Sequence, residues 1–329
     1  MTRPAPDPGA SSMMRHGVHR EKIWGNAYVR NARDDAGAAA LQSPGACARS
    51  AARPGGGPGM SASSPLAYEF CALTDQGRVR SNNEDAVTVD VAGQVAVLAD
   101  GMGGYNAGEV ASRMATELIR QGLAEWLAGA GRDASLADLR QAMETCVDSA
   151  NRAIYDASHS NAQYAGMGTT VVVAAFRDDR LVLGHIGDSR CYRLRDGDLQ
   201  QITRDHSWLQ EQIDAGLLTP EEAALSGFRN LVTRAMGVES TAALEVNEFQ
   251  VQPDDLFILC SDGLTDMLDD EELRALAASS EPLAERAARM IEAANERGGR
   301  DNISVLLVRA GAGEKKRGLV SRLLLRTDG

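Results

Sequence analysis

Apolar and polar residues alternate in short runs along most of the chain, a pattern that is typical of strands half-buried in a sheet. These runs occur at 68–75, 86–99, 169–176, 180–188, 191–195, 199–203, 242–251, 256–262 and 302–310. The run at 86–99 is interrupted at Ala92 and Gly93, which predicts a hairpin. Asp196 and Gly197 are a second tight-turn signal. Short connections of this kind favour antiparallel sheets.

Apolar residues recur with helical spacing in other parts of the chain. This spacing predicts long amphipathic helices at 108–129 and 135–158, the second capped by Ser135, and helices at about 270–278 and 282–297. Residues 206–236 are polar and mixed, with two short helical pieces and a proline at 220. Strands in groups, separated by pairs of helices, indicate an α+β fold with segregated helices.

The two ends of the chain differ from its middle. Residues 1–60 are rich in Ala, Gly, Pro, Ser and Arg, which predicts a disordered N-terminal extension. Met60, directly after PGGGPG at 54–59, is a candidate start of translation. We expect one folded domain over 61–310. The basic segment at 311–329 is expected to be a solvated tail rather than a short amphipathic surface helix.

Charge is unevenly distributed along the chain. The net charge is −12, but residues 61–309 alone carry 21 basic and 40 acidic residues. An acidic body of this kind disfavours nonspecific nucleic-acid binding and suits cation binding. Acidic surfaces also serve solubility, so the charge by itself does not decide between these roles.

Two further features concern location. No apolar run approaches the length that spans a bilayer, and the N-terminus lacks the apolar core of a secretory signal. The five cysteines are widely spaced and form no CxxC pair, so neither a disulfide framework nor a zinc site is indicated. These observations predict a cytoplasmic protein without an integral membrane segment.

Carboxylates mark the ends of the predicted strands. If Ala92 and Gly93 close the hairpin, Asp85 lies directly opposite Asp100, although like charges in that position destabilise a sheet. Acids at strand starts and strand ends gather on one rim of an antiparallel sheet, and five residues fit this description: Asp85, Asp100, Asp188, Asp262 and Asp301.

Each of these acids taken singly is more often a turn former, but together they require a counter-charge. Oxygen-only ligands indicate Mg²⁺ or Mn²⁺ rather than zinc or copper. Two such ions a few ångströms apart would activate a water and bind a phosphoryl group. The sequence therefore predicts a divalent-cation site.

Three other features belong near this site. Arg80, five residues before Asp85, is a candidate phosphate ligand, with Arg78 as a close competitor. The glycines of DGMGG at 100–104 lack the GK[ST] of a nucleotide loop and would instead let the Gly101 carbonyl approach a metal. His206 in TRDHSW is as readily a residue at a helix start as a functional one.

Eight segments resemble one known family. They are RSNNEDA (80–86), VLADGMGG (97–104), GMGTTVVV (166–173), HIGDSRCYRLRDG (185–197), ITRDHSW (202–208), RNLVTRAMG (229–237), PDDLFILCSDGLTDML (253–268) and RDNISVLLV (300–308). Over about residues 66–310 they follow the order found in the metal-dependent serine/threonine protein phosphatases of type 2C, in their compact bacterial form.

The resemblance implies a four-layer α/β/β/α sandwich of two antiparallel sheets flanked by helices. It implies hydrolysis of phosphoserine and phosphothreonine on proteins by a metal-bridging hydroxide, with no phosphoenzyme. Two Mn²⁺ or Mg²⁺ ions would be held by Asp85, Asp100, Asp262, Asp301 and the Gly101 carbonyl. Asp188 would serve a third ion and Arg80 the substrate phosphate, and residues 206–236 would form a mobile flap.

One position departs from many members of the family. Where many eukaryotic members carry a histidine assigned as the general acid, this chain has Met102, as is common in bacterial forms. The leaving oxygen must then be protonated by a metal-bound water or by another group.

The resemblance also leads to expectations about partners and leaves two rival functions to consider. We expect a monomer whose substrates are phosphorylated proteins and which opposes a bacterial serine/threonine kinase, with no nucleic-acid partner. The rivals are an anti-sigma-antagonist phosphatase, disfavoured by the intact GDSR and DHS segments, and a pseudophosphatase, disfavoured by the presence of all five acids. A third idea, that the basic ends bind nucleic acid or a membrane surface, has less support.

Overall fold

The chain folds as two β-sheets packed face to face between layers of helices. The computed structural model describes residues 27–31, 66–104, 107–130, 134–224, 226–228 and 231–312. The first sheet contains β1 (Ala27–Asn31), β2 (Leu66–Asp75), β8 (Arg190–Arg195), β9 (Asp198–Gln201), β11 (Leu256–Cys260) and β12 (Ile303–Ala312). Its strand order is β1-β2-β12-β11-β8-β9.

The second sheet contains β3 (Asp85–Asp90), β4 (Val95–Met102), β6 (Val171–Arg177), β7 (Arg180–Ile186) and β10 (Glu245–Gln250), in the order β10-β7-β6-β4-β3. A two-residue strand, β5 (Gly168–Thr169), pairs with the end of β4. Neighbouring strands in this sheet are antiparallel. The predicted antiparallel architecture is therefore confirmed.

Helices cover the outer faces of both sheets. The long helices α1 (Ala107–Gly129) and α2 (Leu136–Ser160) pack on the second sheet. The first sheet is covered by α6 (Asp270–Ala277) and α7 (Leu283–Glu296). Short helices α3 (Trp208–Asp214), α4 (Pro220–Ala224) and α5 (Asp262–Thr265) lie in the connections. Ser135 caps α2 as predicted, because its hydroxyl accepts a hydrogen bond from Asp138 N.

The alternation within each strand divides the core into three layers. In β4, Ala96 and Leu98 face the other sheet, whereas Val95 and Val97 face α1 and α2. Strand β12 does the same, with Leu306 in the central layer and residues 305 and 307 facing α6 and α7. Successive side chains of a strand point to opposite faces of the sheet. A strand that lies between two apolar layers therefore carries apolar side chains on both of its faces. This arrangement produces the expected four-layer α/β/β/α sandwich.

The predicted turns are present, with one adjustment. Asp196 and Gly197 both adopt positive φ angles, 52° and 84°, as the tight turn between β8 and β9 requires. The hairpin at 86–99 keeps its predicted register, but pairing ends at Asp90 and Val95. Its connection is thus longer than the two-residue loop, and Gln94 takes a φ of 57°.

The structure departs from the expectation for residues 1–60 at one place. Residues 27–31 form a strand that pairs in parallel with β2, in a segment predicted to be disordered. The edge of β2 offers unpaired backbone groups, and AYVRN contains alternating strand-forming residues, so a long-range partner rather than local periodicity defines β1. The other residues of 1–60, and 313–329 of the predicted basic tail, lie outside the described part.

Short helix α5 was not expected from the sequence. It begins at Asp262, directly after β11, and its four residues are too few to show a helical period. None of the helices within the described ranges is long and apolar enough to cross a membrane.

Candidate active site

Two carboxylates face each other at the end of the β3–β4 hairpin. Asp85 is paired with Asp100 across the two strands, as the sequence predicted. Asp85 is 7% exposed. Its Oδ2 atom accepts a hydrogen bond from the Ser261 hydroxyl at 2.7 Å, whereas its buried Oδ1 atom has no hydrogen-bond partner.

The other three acids approach the same rim from separate connections. Asp188 lies in the turn between β7 and β8, Asp262 is the first residue of α5, and Asp301 lies two residues before the start of β12. Asp188, Asp262 and Asp301 line one cavity of about 330 Å³ together with Asp100 and Gly101. The antiparallel strand order thus brings strand starts and strand ends to one place.

Burial makes this cluster costly in its ionised form. Burial raises the pKa of Asp85 and of Asp188 to about 6. The pKa values of Asp100 and Asp262 lie well above their usual range, first because both are buried and then because Asp85 repels Asp100 and Asp188 repels Asp262. Carboxylates with raised pKa values in a cleft are typical of a functional site.

The donor set fits divalent cations. Asp262 Oδ1, like Asp85 Oδ1, is buried without a hydrogen-bond partner. An unpaired buried carboxylate oxygen is unfavourable unless a cation supplies the missing partner. The five acids offer only oxygen ligands, which hard ions such as Mg²⁺ and Mn²⁺ prefer.

The structure distinguishes the two candidate arginines. Arg80 lines the cavity, its side chain is 52% exposed, and its Nη2 atom lies 2.6 Å from Asp301 Oδ2. Its carbonyl oxygen accepts a hydrogen bond from Gln76 Nε2. Arg78 is not among the residues that line this cavity, and its backbone N–H donates to the Gly299 carbonyl. The geometry therefore favours Arg80 over Arg78 as the phosphate ligand.

Asn302 borders the cavity and was not predicted from the sequence. Its side-chain amide donates to the carbonyls of Gln76 and Asn82, at 2.9 and 2.8 Å, and its Oδ1 atom accepts from Glu84 N. These three bonds hold the connection that carries Arg80 against the start of β12. The position directly after Asp301 was the available signal, because Asn side chains commonly satisfy backbone groups in turns.

Close backbone packing explains two of the glycines. A Cβ atom at Gly101 would lie 2.1 Å from the Gly108 carbonyl oxygen and 2.6 Å from that of Glu84. At Gly263 it would lie 2.0 Å from the Asn302 carbonyl oxygen. Gly101 borders the cavity, as the proposed role of its carbonyl requires.

Two threonines, Thr169 in β5 and Thr170 directly after it, hold Asp100 in place. The Asp100 carbonyl accepts from the Thr169 hydroxyl at 2.8 Å, and Asp100 N donates to the Thr170 hydroxyl at 3.0 Å. Thr170 is also joined to the Ser189 hydroxyl at 2.7 Å, next to Asp188. These bonds couple the Asp100 strand to the Asp188 turn.

His206 supports the Asp188 turn from behind and does not line the cavity. Its Nδ1 atom accepts from Gly187 N, which leaves the Nε2 atom to face Glu245 at 3.4 Å. The ring stacks on His185, with centroids 4.7 Å apart. Burial and then His185 lower the pKa of His206. The ligand atoms of these three residues lie within 4.8 Å of one another, but hydrogen bonds already engage both ring nitrogens of His206.

Met102 and Glu84 border the cavity beside Gly101. The Met102 side chain has no proton to donate, so it cannot take the place of the histidine that many family members carry at this position. Burial raises the pKa of the Glu84 carboxyl, with Arg80 opposing the shift. From the predicted flap, Leu231 and Val232 also reach the cavity.

Comparisons with known proteins show the family of the chain. The family model described as Protein phosphatase 2C matches residues 76–307. The chain belongs to the protein phosphatase 2C family. Serine/threonine phosphatase stp of Listeria monocytogenes is 36% identical over 247 residues, which are 74% of this chain and 96% of that protein. The family resemblance seen in the sequence is thus confirmed.

Mycobacterial relatives of the family extend the comparison to structure. Serine/threonine protein phosphatase PstP of Mycobacterium tuberculosis is 40% identical over 243 residues, which are 74% of this chain but 45% of that protein. The crystal structure of the PstP catalytic domain in complex with two manganese ions superposes with a TM-score of 0.65 at 38% identity. The superposition covers 75% of this chain and 99% of the PstP catalytic-domain chain. This protein phosphatase 2C is accordingly a serine/threonine protein phosphatase with the predicted fold.

Proposed function

We propose that the chain hydrolyses phosphoserine and phosphothreonine on proteins at the cavity lined by Asp100, Asp188, Asp262 and Asp301, in the presence of Mn²⁺ or Mg²⁺. The observation that carries this proposal is the pair of buried carboxylate oxygens without hydrogen-bond partners, on Asp85 and Asp262. Asp85 begins β3 and Asp262 begins α5, and bound cations would supply the missing partner of each oxygen.

The proposed metal ligands are those that the family resemblance implies. Asp85, Asp100, Asp262, Asp301 and the Gly101 carbonyl would hold two ions, and Asp188 would hold a third. When bound, divalent ions supply a water of lowered pKa and positive charge for the phosphoryl oxygens. The two manganese ions in the PstP structure support this assignment.

Arg80 would bind the substrate phosphate. Its half-exposed guanidinium lies at the cavity, and a guanidinium offers two parallel donors to phosphate oxygens. The bond to Asp301 holds the side chain at the cavity wall. The hydrogen bonds of Asn302 to the same connection fix the position from which Arg80 reaches the phosphate.

Turnover of a small substrate tests the proposal. We expect the full chain to hydrolyse p-nitrophenyl phosphate and a phosphothreonine peptide with Mn²⁺, and to lose both activities with EDTA or in Asp262→Asn. The removed ligand should lower kcat/KM about 100-fold or more, since a metal ligand acts on the transition state. Absence of turnover in a folded protein that binds Mn²⁺ would instead support the pseudophosphatase alternative.

The physiological setting follows from this activity. We propose that the chain acts as a monomer and opposes a serine/threonine kinase of the same cytoplasm. The relatives named serine/threonine phosphatase support phosphoproteins as the substrate class. Dephosphorylation of an autophosphorylated kinase, and the mass measured by light scattering, test the two parts separately.

A further inference from the structure

The turn that carries Asp188 depends on other segments for its shape. It joins β7 to β8 and begins with Gly187, which takes a positive φ angle of 104°. Glycine reaches this angle without strain, but it reaches many others as easily, so its own backbone does not fix the turn. Asp188 borders the catalytic cavity from this turn. The direction of its carboxylate is therefore set by the bonds that neighbouring segments make to the turn.

His206 bonds to both backbone groups of Gly187. The N–H of Gly187 donates to His206 Nδ1 at 3.2 Å, and the carbonyl of Gly187 accepts a hydrogen bond from His206 N at 2.9 Å. Two bonds from one residue fix the peptide units on both sides of Gly187. The second of these peptide units leads directly to Asp188, so His206 controls the backbone from which the carboxylate extends.

His206 is itself held firmly, as a support for another residue must be. It is 6% exposed, and its ring stacks on His185 with an angle of 11° between the planes. Its carbonyl accepts a hydrogen bond from Thr233 N at 2.8 Å. Because Nδ1 accepts from Gly187, the neutral ring carries its proton on Nε2, which faces Glu245.

The other end of the turn is anchored by the residue directly before His206. Arg190, the first residue of β8, places its Nε atom 3.1 and 3.0 Å from the two carboxylate oxygens of Asp205, and its Nη2 atom lies 2.7 Å from one of them. Residues 205 and 206 thus hold the turn on both sides of Asp188. A change at His206 releases the Gly187 end and leaves the Arg190 end in place.

We infer that His206 is a positioning residue that directs Asp188 toward its cation by holding Gly187. The inference rests on the proposed function and deepens it, because it adds a residue outside the cavity to the cation site. Loss of a residue that orients a metal ligand lowers metal affinity or activity about 10- to 100-fold. His206 acts through a backbone amide and not through the carboxylate itself, so we expect the lower end of this range.

Two amide side chains of different length isolate the bond to Gly187. The side-chain oxygen of asparagine stands as many bonds from Cα as Nδ1 of histidine does, whereas that of glutamine reaches the position of Nε2. His206→Asn therefore keeps an acceptor for Gly187 N. His206→Gln loses this acceptor and keeps a polar group near Glu245. The two variants make opposite predictions for the Asp188 turn.

Calorimetric titration of the full chain with Mn²⁺ gives the first measurement. The ion assigned to Asp188 is the binding event that Asp188→Asn removes. We expect its dissociation constant to rise about tenfold in His206→Gln and less than about threefold in His206→Asn. Added to Asp188→Asn, His206→Gln should change the remaining Mn²⁺ binding no further, because its effect passes through Asp188.

Hydrogen exchange of the Gly187 amide gives a second measurement, which needs neither metal nor turnover. In the metal-free chain this amide is bonded to His206 Nδ1. We expect its exchange to be about tenfold or more faster in His206→Gln than in the unaltered chain, and to stay slow in His206→Asn.

The outcomes separate this inference from the phosphatase function. An unchanged Mn²⁺ dissociation constant in His206→Gln would overturn the inference, and so would an equal loss in both variants, including a failure of both to fold. If Asp188→Asn removes no binding event, the inference fails with the assignment of Asp188. Absence of p-nitrophenyl phosphate turnover in the unaltered chain would overturn the proposed function, while Mn²⁺ binding and hydrogen exchange would still test the role of His206.

Discussion

Nη2 of Arg80 lies 2.6 Å from Oδ2 of Asp301, although the two residues are 221 positions apart in the chain. The contact joins the proposed phosphate ligand to a proposed metal ligand at the wall of the same cavity. Half of the Arg80 side chain remains accessible to a substrate.

Replacing Arg80 by alanine should weaken substrate binding. A lost charge-assisted hydrogen bond corresponds to a fall in kcat/KM of about 10- to 100-fold, and we expect much of it in KM. Steady-state kinetics with p-nitrophenyl phosphate at saturating Mn²⁺ measure this. Arg78→Ala is the matched control, because Arg78 is exposed nearby but does not line the cavity. A larger effect of Arg78→Ala would reverse the assignment.

The stability of the metal-free protein should depend on pH in an unusual direction. The pKa values of Asp85 and Asp188 are raised to about 6, so the folded state binds more protons than the unfolded state between about pH 4 and 6. Their contribution is present below the unfolded pKa and is lost as the pH rises through about 6. The lowered pKa of His206 opposes this, because below about pH 6.5 the unfolded chain protonates this histidine while the folded protein still holds it neutral, which favours unfolding.

The pKa values of Asp100 and Asp262 are also raised, and four carboxyls outweigh one histidine, so the metal-free chain should unfold at a lower temperature at pH 8 than at pH 5.5. Over this range the loss is about 1 kcal/mol for Asp85 and for Asp188, because most of their contribution is already lost between about pH 4 and 5.5. Thermal unfolding in EDTA across this range measures it, and saturating Mn²⁺ at pH 8 should restore stability. A metal-free protein that is most stable at pH 8 would contradict the raised pKa values.

Asn302→Ala should destabilise the fold and impair catalysis together. The substitution removes bonds to Gln76 O, Asn82 O and Glu84 N, and unsatisfied groups in a partly buried site cost about 2–4 kcal/mol in total. Urea unfolding gives the free energy of unfolding, and kcat/KM reports the displaced Arg80 connection. Asn247→Ala, which loses one bond to Glu245, should cost less than about 1 kcal/mol. Equal effects of the two would argue against the anchoring role of Asn302.

Gly263→Ala should be strongly destabilising. The new Cβ would lie 2.0 Å from the Asn302 carbonyl oxygen, so either α5 or the start of β12 must shift. We expect a loss of about 2 kcal/mol or more in the free energy of unfolding, together with weaker Mn²⁺ binding by calorimetry. Gly129→Ala has nothing within 4 Å of its added Cβ and should be neutral. A neutral Gly263→Ala would show that the backbone contact is not tight.

Local patterns in the sequence were sufficient for most of the fold. The two-residue period placed the strands, helical spacing placed α1, α2, α6 and α7, and Ser135 marked the start of α2. The opposition of Asp85 and Asp100 also followed from counting along the hairpin, because register in a hairpin is set within a few residues. The sequence did not predict helix α5 or strand β1. Helix α5 is too short to show a helical period, and β1 depends on pairing with β2, which is distant in the chain.

By itself, then, the sequence determined the elements, the Asp85–Asp100 register and the five acids at strand ends, because these depend on neighbours along the chain. Tertiary structure alone decided what depends on separate segments meeting: the bond between Arg80 and Asp301, and the anchoring by Asn302. No local period encodes those distances. They arise when two sheets pack and bring strand ends from both to one rim.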